Sequence, residues 1–326
     1  MIGPRFTPAD LRSAVAAAVR APSLHNSQPW RFRLVDGAIE VRVDPERLPP
    51  VGDPTRWAAR ISCGAALFNL RLALAVAGTP AEVRLRPYPH ELDTVARLVP
   101  CRPRPATPAE RNLYAALFRR HSNRAPFWPD PVPADTRWRL IEAARAEQAW
   151  LEMVIGPVAV QAVAEIARAA DRVLARDRDY RAELARWIRT SCAADGVPAE
   201  AGGPLPEPQD LLPQRPFGVH ARAPGQDYEL EPLVAVLGSR GDSATDQIVA
   251  GQALQRVLLT ATDSRLAVSM LSQPIEVRPA REQLRLALGR YGTPQMVMRI
   301  GYGEPGRPSP RRDVDEVIDE TVTSHR

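Results

Sequence analysis

The sequence predicts an α+β fold built as an internal pseudo-dimer: two related halves, with mixed sheets and central helices. Three observations predict it. The 326 residues are 44% hydrophobic and 25% charged, a globular composition with enough chain for two domains or one large one. A small-residue helix pattern occurs twice: aligning Gly251 with Gly64 pairs GQALQRVLLTAT with GAALFNLRLALA. Each copy follows a strand-like run and a Gly-Asp turn, VRVDPERLPPVGD in the first and LEPLVAVLGSRGD in the second. Two copies are too few for a solenoid and suit a fused pair of halves, expected at 1–105 and 106–326.

The opening segment TPADLRSAVAAAVRAPS carries Thr7 as N-cap, Pro8 in the first turn, and apolar residues at Leu11, Val15 and Val19, the start signal and spacing of an amphipathic helix that stops at Ala21-Pro22. NSQPWRFRL and GAIEVRVDP then read as two strands around Val35-Asp36-Gly37, with Trp30, Phe32 and Leu34 on one face. ISCGAALFNLRLALAVAG is apolar nearly all round, which predicts a helix buried on most sides, with Gly78 as its C-terminal stop. Cys101 to Pro108 is a Pro/Arg linker before the helix ERNLYAALFRRHSNR. Asp195 to Gly218 is the richest stretch in proline and glycine, and its length without a regular pattern predicts a lid or binding loop.

Several function classes fall away. All 43 Lys+Arg positions are arginine, so no Schiff-base lysine and no P-loop lysine exists. Cys63, Cys101 and Cys192 are odd in number and far apart, which argues against a disulfide scaffold or a zinc finger. The five histidines, His25, His90, His121, His220 and His325, show no metal spacing, and HExxH and GxSxG are absent. The net charge of +5 comes from arginines that alternate with acids, as in RDRDYRAEL, so solvated helix faces explain it better than a nucleic-acid surface. No run reaches eighteen apolar residues and MIGPRFTPADLR lacks an apolar leader, so the expected location is the cytoplasm, with no membrane partner.

Three segments in order, APSLHNSQPWRF from Ala21, RRHSNRAPF from Arg119 and PSPRRDVDEVI near the end, resemble the nitroreductase-like FMN flavoproteins; with ISCGAALFNLRLALAVAG and LSQP added, the chain resembles the Acg branch over nearly its whole length. The resemblance implies a nitroreductase-like fold. It also implies an FMN-binding oxidoreductase that takes hydride from NADH or NADPH to a small-molecule acceptor, a nitroaromatic or a quinone, with no catalytic side chain of its own because the flavin carries the chemistry. The other class considered is an FMN-sequestering protein, with the 195–218 segment as a lid over the flavin and no turnover.

Carried over by motif, the resemblance implies that Arg120, Ser122 and Arg124 contact the flavin and that Arg312 reaches its phosphate, with Arg311 and Arg307 nearby. Pro22, Ser23 and Asn26, with Gln28 beside them, lie along the isoalloxazine. Leu271, Ser272 and Gln273, the start of LSQP, approach it from the second half. Only the second half carries RRHSNR, so the pseudo-dimer is expected to hold one FMN and can stand as a monomer. The residue types suit these roles, since guanidinium offers forked donors to a phosphate and an amide offers donor and acceptor to a ring edge.

Plainer readings exist for the same residues. Arg120 and Arg124 could be the solvated end of a helix, and Ser23 and Asn26 turn or cap residues. His25 reads more readily as a loop histidine bonded to backbone than as a proton donor. Cys63 reads as buried packing. Asn69 and Gln255, equivalent in the repeat, read as helix packing, although either could touch a flavin.

Overall fold

The computed structural model of the chain describes residues 4–189, 193–207, 210–218, 220–222, 232–304 and 306–320. Cys192, His325 and positions 208–209 of the proposed lid lie outside the described residues. Helix α1 (Pro8–Ala18) begins with the expected cap, in which the Thr7 side chain accepts from the Asp10 amide and Asp10 bonds back to Thr7. It ends three residues before Ala21. Strands β1 (Trp30–Val35) and β2 (Ala38–Val43) form the hairpin, with Trp30, Phe32 and Leu34 buried on one face. Helix α2 (Trp57–Val76) follows, and then β3 (Ala81–Leu85) and β4 (Thr94–Pro100). Gly78, at φ +84°, turns the chain at the end of α2, where Thr79 N donates to Leu74 O.

The second half contains α3 (Pro108–Leu117), α4 (Ala134–Arg145), β5 (Trp150–Val154), α5 (Pro157–Arg176) and α6 (Arg178–Trp187). Two short strands, β6 (Ile188–Arg189) and β7 (Val197–Pro198), pair in parallel. They are followed by β8 (Leu233–Ser239), α7 (Ala244–Asp263), β9 (Ala267–Leu271), α8 (Gln273–Glu276), α9 (Arg278–Ala287), β10 (Thr293–Gly301) and the single turn α10 (Val314–Val317). RRHSNR lies in the irregular stretch after α3, so the helix there is shorter than expected.

The two four-stranded sheets repeat one order: β1-β2-β4-β3 and β5-β8-β10-β9. In each, a twenty-residue helix lies between the second and third strands in sequence. All ladder pairs in both sheets are antiparallel. Among the described residues parallel pairing is limited to the short β6–β7 ladder and to one bridge, Phe32 to Ile318, which brings the C-terminal segment onto the first sheet. Asp319 N donates to Phe32 O at 2.7 Å there.

Helices α2 and α7 lie between the sheets and pack on each other. They meet at the two aligned glycines. A Cβ on Gly64 would stand 2.3 Å from Ile248 O, and one on Gly251 would stand 2.2 Å from Ile61 O. Only hydrogen side chains let the backbones approach this closely. Two apolar cores result, one around the first sheet with α1 and α2, the other around the second with α4, α5 and α7. Asn69 and Gln255 bond to each other across the helix pair at 2.7 Å, so packing accounts for both. Cys63 is fully buried beside Pro29 O, and burial pushes its thiol well above the usual range, which fits packing and not redox chemistry. Among the described residues α2 alone is long and apolar enough to cross a membrane, and it is the buried central helix.

Candidate functional site

The site starts at the loop between α1 and β1. His25, Asn26 and Gln28 all have positive φ, at 52°, 57° and 53°, a region that costs non-glycine residues on the order of 1 kcal/mol or more each. Neighbouring groups hold the loop in this shape. The Gln28 amide donates to Ser23 Oγ at 2.9 Å, its side chain donates to Ala194 O at 2.8 Å, and its Oε1 accepts from Arg312 N at 2.9 Å. Asn26 donates to Gly196 O at 2.9 Å and Pro310 O at 3.0 Å, and accepts from Arg311 Nη1 at 3.0 Å. Both amides are thus spent on the protein: they position the loop.

Just upstream, the Arg20 and Ala21 carbonyls accept from two guanidiniums. Arg120 Nη2 lies 3.1 Å from Arg20 O, and Arg311 Nη2 lies 3.1 Å from Ala21 O. Arg120 Nε and Nη1 and Arg311 Nε are sealed from solvent with no hydrogen-bond partner. Burial lowers Arg120 to about 10, and burial with the neighbouring Arg120 and Arg20 charges lowers Arg311 to about 9. The solvated helix end is therefore not what Arg120 occupies. Arg312, the residue expected at a phosphate, has its guanidinium 3.6 Å from Asp44 and 3.5 Å from Glu316, with Nη1 buried and without a hydrogen-bond partner. Ser122 is half-buried with its carbonyl against Gly306.

Downstream, Pro22, Ser23 and His25 enter the wall of a cavity between the halves. Arg124, Leu271, Ser272 and Gln273 line the same cavity. Six of the eleven expected residues therefore share one wall, and Asn26, Gln28, Arg120, Ser122 and Arg312 lie outside it. Trp57 and Ile61 on α2, Leu254 on α7, and Met270 and Met296 on the second sheet give the cavity an apolar wall, into which Ser62 and Ser269 are set. Arg124 Nη1 donates to Ala201 O at 2.8 Å, and burial with the Arg215 charge lowers it to about 10.

The 195–218 segment reaches this cavity through Pro213, Gln214, Arg215 and Phe217. Arg215 fixes it there, donating to Tyr180 Oη at 3.0 Å, Ser272 Oγ at 2.9 Å and Glu276 Oε1 at 2.5 Å. Both side chains of the Arg215–Glu276 pair are buried, and burial offset by the Glu276 charge leaves Arg215 raised. Phe217 stands between the halves, edge-on to His25 with centroids 5.9 Å apart and with Arg124 Cζ 5.1 Å over its ring. No motif in the sequence marks Arg215 or Phe217; the proline and glycine around them were the only signal. His25 corrects an expectation. It is buried, its two ring nitrogens have no partner, and it is not the backbone-bonded loop histidine.

No protein-family model matches the chain. It is 32% identical over 327 residues to a Mycobacterium tuberculosis protein provisionally named NAD(P)H nitroreductase Rv3131, covering 95% of this chain and 91% of that one. It is 30% identical to the provisionally named NAD(P)H nitroreductase acg of the same organism, covering 97% of each. Among solved structures it is similar to the FMN and NADPH-dependent nitroreductase NfnB from Sphigopyxis sp. strain HMH, with 20% identity, a TM-score of 0.43, and coverage of 64% of this chain and 97% of that one.

Proposed function

The chain belongs to the nitroreductase family, in its Acg branch, and from that premise we propose an FMN-dependent oxidoreductase that uses NADH or NADPH to reduce a nitroaromatic, a quinone or a similar acceptor. One observation carries the reading. Among the described residues, Arg120, Arg124 and Arg311 pair with no carboxylate although desolvation depresses all three. Cations buried without a counter-charge destabilise a fold unless an anion meets them. A ligand with a phosphate at one end and an electron-accepting ring at the other suits this arrangement.

The residues fit FMN in that sense. Arg120 and Arg311, with three sealed donor groups between them, would take the phosphate through charge-assisted bonds. Pro22 to His25 lead from that pair into the apolar cavity, where a flat ring gains from burial. Arg124 supplies the cation that favours a ring as it gains negative charge. When bound, FMN supplies the hydride chemistry between nicotinamide and acceptor. The protein orients the partners and excludes water.

The test is anaerobic mixing of the FMN-loaded chain with NADPH. Bleaching of the flavin absorbance, followed by its recovery when a quinone is added, is the expected result; persistent colour would contradict turnover. A second reading, FMN storage, is favoured by the Arg215 anchor across the cavity. It predicts slow bleaching in the intact chain and faster bleaching in Arg215→Ala, whereas an enzyme whose site includes the segment would slow down in that variant.

A further inference from the structure

We propose that His25 is the specificity residue of the cavity: its ring N–H donates to the carbonyl or nitro oxygen of a planar aromatic ligand that the apolar walls hold. The inference rests on the proposed oxidoreductase function, with the acceptor entering this cavity beside the flavin ring, and deepens it by naming the group that recognises that acceptor. Four observations converge on this one side chain. It lines the cavity. It is 5% exposed, and neither ring nitrogen has a hydrogen-bond partner; a buried polar group left in this state costs roughly 1–3 kcal/mol. Its backbone is held at φ 52° while its neighbours Asn26 and Gln28 are tied down by their own side chains. Strain kept in place by such bonds, for a residue that makes none itself, marks a side chain held out for a ligand.

The fourth observation is charge. Burial, then Arg215 and Arg124, hold the imidazole well below its ordinary pKa, so it is neutral near pH 7. A neutral imidazole has one N–H donor and one acceptor nitrogen. It offers a directional bond without adding a further cation to a site that already contains Arg124 and Arg215. Trp57, Leu254, Met270 and Met296 present no charge, and although Ser62, Ser269 and Gln273 share the wall, His25 is, among the described residues, the lining side chain whose buried polar atoms have no hydrogen-bond partner. Discrimination of this kind is strong, because the wrong ligand leaves the polar group unpaired.

The experiment compares acetophenone with ethylbenzene, two ligands of similar shape of which only the first bears an oxygen, by calorimetric titration of the full chain loaded with FMN. The variants are His25→Phe, which keeps a ring without donors, and His25→Asn, which keeps an amide donor and tolerates positive φ. We expect His25→Phe to weaken acetophenone binding about tenfold, His25→Asn to recover most of that loss, and ethylbenzene to change little in either. Equal losses for both ligands, no loss for acetophenone, or no acetophenone binding by the unmodified chain would overturn the assignment. Loss of FMN from His25→Phe with acetophenone binding intact would also overturn it and would move His25 to the flavin. FMN content is measured first on each sample. A chain that takes up no FMN defeats the proposed function, and the same titration on that chain still decides the role of His25.

Discussion

The two arginines at the Arg20 and Ala21 carbonyls carry the heaviest single-residue expectations. A hydrogen bond to a charged group contributes about 1.5–3 kcal/mol, so Arg120→Ala or Arg311→Ala should weaken FMN binding roughly ten- to a hundredfold, read by flavin fluorescence quenching at moderate salt. Arg312→Ala should have a smaller effect, because its guanidinium faces Asp44 and Glu316. Equal losses in all three variants would return the phosphate to Arg312. The identity of these residues was legible from RRHSNR and PSPRRD, but the choice within the Arg311-Arg312 pair was not. Adjacent residues on an irregular segment point in different directions, and no periodicity in the sequence says which one turns inward.

At the scale of elements, the crossing of α2 and α7 makes the sharpest demand. Gly251→Ala would place a Cβ 2.2 Å from Ile61 O, and backbone cannot yield as a side chain does. Overpacking costs typically 1–3 kcal/mol and sometimes more, so this variant should lose about 3 kcal/mol in urea unfolding; near-native stability would mean that the helices do not meet at these glycines. The start of α2 adds a pH effect. Asp53 accepts from the Ala58 and Ala59 amides at 3.0 and 2.8 Å, yet burial outweighs those bonds and raises its pKa from 3.8 to about 7. The folded state therefore binds this proton more tightly than the unfolded chain does. The stability linked to it is full below about pH 4, and it is lost as the pH rises through about 7. Asp53→Asn should flatten the fall in melting temperature between about pH 5 and 7.5, and an unchanged slope would assign that fall to another group. The repeat of α2 and α7 and the first hairpin could be read from the sequence because periodicity and glycine placement are local signals. The C-terminal bridge to Phe32 could not, because one pair of residues 286 positions apart leaves no pattern.

For the whole molecule, the cavity between the two cores takes residues from both halves, Pro22 to His25 from one and Arg124 with Leu271 to Gln273 from the other. The order of the motifs along the chain was enough to group these segments. The apolar wall and the Arg215 anchor needed the folded chain, since their residues come from stretches far apart in the sequence. RRHSNR occurs once, in the stretch after α3. On this ground we propose one flavin per chain. The measurement that bears on this most directly is an equilibrium titration of the full chain with FMN, with the bound flavin released by denaturation and counted by absorbance. Saturation at one FMN per chain is the expected result, with a rise in melting temperature as the buried arginines gain their anion; no uptake, or two flavins per chain, would contradict it.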